Sequence, residues 1–333
     1  MAALRPLSAV ANPSTTPGSA TPTTVPHPVM QGMTVLERGW LSSNNVLLAG
    51  DDGSAVLVDS GHCRHAEQTV ALVRRALRGA TLAAVVNTHL HSDHCGGNAA
   101  LQRAFGAKVF IPPGQWRAAV DWDEDALSYR PTQQRCERFE PHGTVTPGEA
   151  LQLGDRRWQV LAAPGHDPHS VVLFDDRHGV LISADALWEN GFGVVFPELV
   201  GEPGFDEVAA TLELIAGLGA RWVVPGHGAP FNDVPAALQR ANALLGRLRA
   251  DPQRHRRHAA KVLLKYHLME ERAQSLPRLV LWAGDTPYLR RLWHDLGRPR
   301  GSLHGWCEAL VHELAAAGAL HLRDALVHDG PPP

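Results

Sequence analysis

Apolar residues along this chain occur as short unbroken runs and as stripes of helical period, and the two kinds alternate. The unbroken runs, rich in β-branched residues, mark strands at 33–38, Asn45–Ala49, 54–60, 82–86 and 107–111. A second set covers 158–163, 170–174, 179–183 and 222–224, with 170–174 and 179–183 forming a hairpin about Asp175-Asp176. Helical stripes lie at 65–78, through Val70, Leu72, Val73 and Leu77, at 98–105, and from Phe205 to about Leu218. Residues 114–142 follow neither template. They carry Trp116, Trp122, Tyr129, Arg130 and Arg135 and read as an insertion, either a substrate wall or lid or an ordinary surface excursion. Strands interleaved with helices indicate an α/β fold.

One event recurs in this pattern. An apolar strand ends, and a histidine or aspartate stands just beyond it: His89, His166, Asp185 and His227. Polar side chains gathered at the carboxyl ends of strands are how an α/β scaffold builds a site.

Composition narrows the range of functions. The 333 residues suffice for one large domain with a small appendage, and 44% apolar content supports a sizeable core. A formal net charge of −3 argues against an electrostatic nucleic-acid binder, and no apolar run approaches the length of a membrane span. Cys63, Cys95, Cys136 and Cys307 form no C-x-x-C pair, which fits reduced thiols and a cytoplasmic location. Residues 1–28, rich in Pro, Ser, Thr and Ala, are expected to be a disordered tail. The domain expected to carry the chemistry then spans 29–246, and a helical, more basic C-terminal domain spans 247–333.

The densest chemistry lies in Thr88-His89-Leu90-His91-Ser92-Asp93-His94. In an extended backbone His89 and His91 point the same way, while Asp93 and His94 lie past a bend and can be aimed at a second point. Imidazoles mixed with carboxylate suit a borderline-soft cation such as zinc. Cys95 is expected to be a small buried residue under the site rather than a ligand. Asp59, at a strand end before Ser60-Gly61, reads either as a turn former or as a support for metal ligands.

Together these motifs resemble the metallo-β-lactamase superfamily, and within it the glyoxalase II-like hydrolases, over roughly residues 33–245. The resemblance rests on His89-x-His91-x-Asp93-His94, on His166 and His227 in Pro-Gly-His, and on Asp185 after the hairpin. It implies an αββα sandwich of two mixed sheets with helices outside. It also implies two zinc ions, one held by His89, His91 and His166 and the other by Asp93, His94 and His227, with Asp185 between them. Asp93 would act in catalysis and Asp59 would support the ligand loop. His169 departs from the pattern, standing where many relatives carry glycine.

Two cations that share a water lower its pKa, so the implied reaction is hydrolysis of a small-molecule thioester, ester or lactone by metal-bound hydroxide. Iron or a mixed pair also fits the ligands, which keeps an iron-dependent persulfide dioxygenase-like oxygenase in competition. A nuclease is a weaker alternative. The tail is expected to hold three helices (259–273, 286–293 and 302–317) and a wing, winged-helix-like, and to be structural, homodimerising or pocket-closing rather than DNA-binding. Lys261, Lys265 and Tyr266 are its candidates for gripping glutathione, and 254–257 reads as a solvated junction.

Overall fold

The computed structural model describes residues 30–330, so the expected disordered tail at 1–28 lies outside the described residues. The chain divides into two compact units, one ending at Pro252 and the other beginning at Gln253.

The larger unit is built on two sheets. Strands β1 (Met33–Leu36), β2 (Asn45–Ala49), β3 (Ser54–Val58), β4 (Thr81–Val86), β5 (Lys108–Ile111) and β6 (Pro141–Thr144) form the first sheet in sequence order. Its first two pairings are antiparallel and its last three parallel. Strands β7 (Ala150–Leu153), β8 (Arg156–Ala162), β9 (Val171–Asp175), β10 (Val180–Ala184) and β11 (Trp222–Pro225) form the second, ordered β11-β10-β9-β8-β7. Only β10 and β11 run parallel there.

Three apolar layers account for the sandwich. Between the sheets, Val35, Val46, Leu48, Val58 and Val86 of the first meet Trp158, Val160, Leu173, Ile182 and Val224 of the second. Strands buried on both faces carry unbroken apolar runs, which is why β9 and β10 have no polar alternation. Outside the first sheet lie α1 (Ala66–Leu77), the single-turn α2 (Ser92–Cys95) and α3 (Asn98–Phe105), with Leu72, Val73, Leu77 and Leu101 turned into the second apolar layer. The short α4 (Trp116–Asp121), α5 (Tyr129–Thr132) and α6 (Phe196–Val200) follow, and then α7 (Phe205–Gly217) and α8 (Val234–Ala250). Val208, Leu212, Ile215, Ala237, Ala241 and Leu245 of the last two cover the second sheet. The expected αββα architecture is therefore the one observed.

Several local expectations change. Residues 114–142, read as a wall or lid or as a surface excursion, turn several of their aromatics inward. Tyr129 is buried, and Trp116 and Trp122 pack against the first sheet's apolar layer, with Trp122 edge-on to Phe139 at 5.5 Å. Strands β6 and β7 escape the hydrophobic pattern because each is the last strand of its sheet, where pairing to one neighbour tolerates proline, glycine and polar residues. The composition shift at Gly246 falls inside α8, whose side-chain cap is Asp233 accepting from the Ala236 N–H.

The smaller unit holds α9 (Pro252–Glu271), β12 (Ala273–Ser275), α10 (Leu276–Asp285), α11 (Pro287–Asp295), α12 (Leu303–Ala316), β13 (Leu320–Arg323) and β14 (Leu326–Asp329). Its strands form a small antiparallel sheet, β12-β14-β13. The run at 254–257 is not a solvated junction: it lies in α9, and His255 is buried. The first turn of that helix begins at Pro252, where a missing N–H costs nothing. Helix α10 was not expected, since Leu279-Val280-Leu281-Trp282 fits a strand as well as a helix.

The inter-sheet layer sets the catalytic scaffold's stability, and Trp158 is its largest side chain, fully buried. Trp158→Ala is expected to destabilise the larger unit by about 3–5 kcal/mol. A lowered urea midpoint for that unit checks this, and an unchanged midpoint would show that the sheets do not depend on this contact.

Candidate metal centre

Four strand ends and one helical turn deliver the site. Strand β4 stops at Val86, and Asn87-Thr88-His89 lead into the turn that α2 closes, placing His89, His91, Asp93 and His94 together. Strand β8 leads to His166, β10 to Asp185 and β11 to His227. All seven side chains are buried or nearly so.

They fall into two clusters of possible metal ligands, His89–His91–His166 and Asp93–His94–Asp185–His227, each with donor atoms within 4.8 Å of one another. In the first, His91 Nδ1 lies 3.1 Å from His89 Nε2 and 2.8 Å from His166 Nε2. His166 donates from Nδ1 to the Val194 carbonyl at 2.6 Å, which leaves Nε2 with its lone pair facing the cluster. In the second, Asp93 Oδ2 is 3.1 Å from His227 Nε2. Asp185 stands between the clusters: Oδ2 is 3.3 Å from His166 Nε2, and Oδ1 is 3.5 Å from His94 Nε2 and 3.8 Å from His227 Nε2.

The charges explain the protonation states. Burial, followed by the neighbouring His94, His91 and His166, holds the His89 imidazole well below the usual histidine range. Burial likewise lowers His166 to about 4. Burial opposes charge on His94 too, but Asp185, Asp59 and Asp93 outweigh it and raise that imidazole well above its ordinary value. Burial would raise the Asp185 carboxyl, yet His94, His227 and His166 reverse this and lower it well below the carboxylate range.

The donors fit divalent cations. Converging imidazoles, with His89 and His166 held below the usual histidine range, beside ionised carboxylates are the ligand types of zinc and iron centres. His94 Nε2 is buried with no hydrogen-bond partner although it faces Asp185, as expected of an atom shaped for an ion. Five imidazoles and two carboxylates make up the set.

The supporting residues act on these ligands. Asp59 does not reach the cluster centres; it accepts from His94 Nδ1 at 2.8 Å, from the Thr88 N–H at 2.9 Å and from the Thr88 hydroxyl at 2.8 Å. It therefore sets the ring orientation of His94 and ties it to the His89 turn. Cys95, as expected, is buried behind the turn, with Sγ against the Leu90 and His91 carbonyls, and Tyr129 donates to the Leu90 carbonyl at 2.8 Å. Two glycines are obligatory for close approach: a Cβ at Gly226 would lie 2.2 Å from Asp185 Oδ1, and one at Gly193 would lie 2.3 Å from His166 Nδ1. Ala184, just before Asp185, takes a left-handed φ of 47°, a strained conformation that aims the carboxylate inward.

Some site neighbours carried no sequence signal. Asp167 lies 3.8 Å from His91 Nε2. Trp188 donates from Nε1 to Asp185 Oδ1 at 3.2 Å. The atypical His169 places its ring against Gly114. The residues considered for gripping glutathione are engaged within their own unit: Lys261 pairs with Glu313 at 2.9 Å, Lys265 pairs with Asp329, and Tyr266 is buried.

Comparison with known proteins follows the same lines. A family model described as the metallo-beta-lactamase superfamily matches residues 38–227. A hydroxyacylglutathione hydrolase of Xanthomonas axonopodis pv. citri (strain 306) is 33% identical over 231 residues, which are 68% of this chain and 78% of that protein. The solved structure of TTHA1623 in a di-iron-bound form has a TM-score of 0.50 and 25% identity, covering 62% of this chain and 98% of its own. A beta-lactamase domain protein from Burkholderia ambifaria shares the fold over 96% of this chain and 98% of its own, with a TM-score of 0.52 and 22% identity.

Because Asp59 acts through His94, Asp59→Asn is expected to weaken ion retention at the Asp93–His94–Asp185–His227 cluster by about 10–100-fold. Metal analysis after dialysis against graded chelator reads this directly. Retention equal to the parent protein would remove Asp59 from the account.

Proposed function

The chain belongs to the metallo-β-lactamase superfamily of hydrolases, and from that premise we propose that it is a dinuclear metal-dependent hydrolase of a small-molecule thioester, ester or lactone. The observation that carries this reading is the division of the Asp185 carboxylate, one oxygen toward each cluster. When bound, a pair of divalent cations supplies Lewis acidity toward a carbonyl oxygen and makes a nucleophilic water available near neutral pH. Zinc is the proposed pair, and iron suits the same donors; the di-iron relative supports keeping both in the test.

The chain's own residues define the rest. His89, His91 and His166 would hold one ion, and Asp93, His94 and His227 the other, with Asp185 reaching toward both. Asp59 holds the His94 proton on Nδ1, so that Nε2 is the nitrogen that would offer a lone pair once an ion displaced its proton. The Val194 carbonyl likewise holds the His166 proton on Nδ1. Asp93 Oδ2, beside His227, is placed to orient the attacking water and to take its proton. Trp188 N–H fixes Asp185 Oδ1 and covers it from solvent.

Among the described residues no disulfide links Cys63, Cys95, Cys136 or Cys307, which supports the proposed reducing, cytoplasmic setting. Among the described residues no helix is long and apolar enough to cross a membrane. The proposed partner is a small molecule, and the smaller unit is proposed as a structural or dimerising element.

Asp185→Ala and His227→Ala are each expected to lose one of two ions and to lower turnover of the best substrate in a thioester, lactone and aryl ester panel by on the order of 10²–10³-fold. Both proteins retaining two ions and parental rates would sink the dinuclear model. Oxygen consumption on a persulfide with an iron-loaded protein, in place of hydrolysis, would replace the hydrolase reading with the oxygenase one.

A further inference from the structure

The ligand clusters are flanked by aromatic rings that serve no core. Trp40 lies face to face with the His227 imidazole, with ring centroids 5.3 Å apart and planes 7° from parallel. Trp188 meets the same imidazole edge-on at 5.5 Å and meets Trp40 at 5.3 Å with a 74° interplanar angle. Beside the other cluster, Phe196 packs edge-on against His91 at 4.9 Å and His166 at 5.6 Å. All three rings are only half-buried, and none belongs to the three apolar layers of the sandwich. Large apolar side chains left partly exposed beside a polar centre mark a binding surface.

These rings are held in place before any ligand arrives. The loop after Trp40 is tied to the ligand-bearing turns, Ser43 N–H donating to the Asp93 carbonyl at 2.9 Å and Asn44 N–H to the Gly226 carbonyl at 2.7 Å. Trp188 is fixed by its backbone N–H to the Gly191 carbonyl at 2.7 Å and by its indole N–H to Asp185. A wall already in position loses little entropy on binding.

Charge sharpens the picture. No lysine or arginine occurs from residue 39 to 63 or from 178 to 220, the stretches that carry all three rings, whereas Glu189 and Glu198 lie in the second. These stretches contribute carboxylates rather than cations, and Arg240, a cation at the Trp188 loop, donates to the Glu189 carbonyl at 2.7 Å. The wall therefore favours an uncharged ring beside two indoles over a thiol bearing free carboxylates.

We propose that Trp40 and Trp188 form a recognition wall on the His227 side of the centre, and that the substrate is an uncharged ester or thioester carrying an aromatic group. This rests on the hydrolase reading above and departs from a glutathione thioester as substrate. The aromatic group packs against the indole faces while the carbonyl lies over the ligand clusters.

The test uses the metal-quantified full chain and three thioesters: phenylacetyl and acetyl thioesters of N-acetylcysteamine, and the phenylacetyl thioester of glutathione. A neutral aryl ketone, 2-acetylnaphthalene, is titrated in parallel by calorimetry. The expected kcat/KM for the neutral phenylacetyl thioester exceeds that of the acetyl one by about tenfold, as for one well-placed aromatic contact plus its buried area. Trp40→Ala should collapse that ratio, chiefly through KM, and weaken ketone binding, and Trp40→Phe should restore most of both. A parent protein with no aryl preference, or one that prefers the glutathione thioester, overturns the proposal without recourse to any variant. A ratio unmoved by Trp40→Ala at full metal content does the same. Ketone binding that depends on Trp40 with no thioester turnover would uphold the wall and sink the hydrolase reading. Turnover without aryl selectivity would do the reverse.

Discussion

The Asp185 carboxylate is the constraint on which the centre depends. It is ionised in a buried place, 3.3 Å from one imidazole cluster and 3.5 Å from the other, and a methyl group on Gly226 would occupy its space. An ionised carboxylate so buried is tolerated only beside compensating positive charge. In the protein alone His94 supplies part of that charge, because three aspartates raise its proton affinity. The same geometry would let two cations supply it instead. The backbone helps set this arrangement through Ala184, whose left-handed conformation turns the end of β10 toward the centre.

The sandwich makes such a site economical. Apolar strands end abruptly where polar residues begin, so the ends of β4, β8, β10 and β11 bring ligands from distant stretches of chain to one edge. Backbone links then lock the edges together: Val171 N–H donates to the Thr88 carbonyl and Asn44 N–H to the Gly226 carbonyl. The rigid inter-sheet layer beneath, with Trp158 at its heart, keeps the two halves of the centre at fixed separation. Preorganisation of this kind is what a metal centre needs, since loosely held ligands would lose affinity to ordering entropy.

Much of this was legible in the sequence because strand ends carry a strong signal. Unbroken apolar runs predicted the interior strands, and a histidine or aspartate just beyond four of them marked His89, His166, Asp185 and His227. The dense 88–94 motif, with the family resemblance, supplied His91, Asp93 and His94, and the fold gathers all seven into two clusters. What the sequence concealed is physical in origin. Edge strands β6 and β7 depend on a neighbour rather than on their own pattern, and the apolar run of α10 fits a strand as well as a helix. Trp122 and Tyr129 lie in a segment that read either as a wall or lid or as a surface excursion, and they pack inward; nothing local says which face of an irregular segment meets the core. Trp40, which stacks on His227, lies far from every ligand in sequence, and only tertiary packing discloses it.

The central claim is that this fold holds two metal ions with one carboxylate between them. X-ray diffraction from metal-loaded crystals, with anomalous scattering recorded at the absorption edge of the loaded metal, locates those ions without reference to activity. Two anomalous peaks, one at His89–His91–His166 and one at Asp93–His94–His227, each with one Asp185 oxygen as a ligand, are the predicted result. A single peak at saturating metal, or two peaks with Asp185 bound to only one of them, would contradict it.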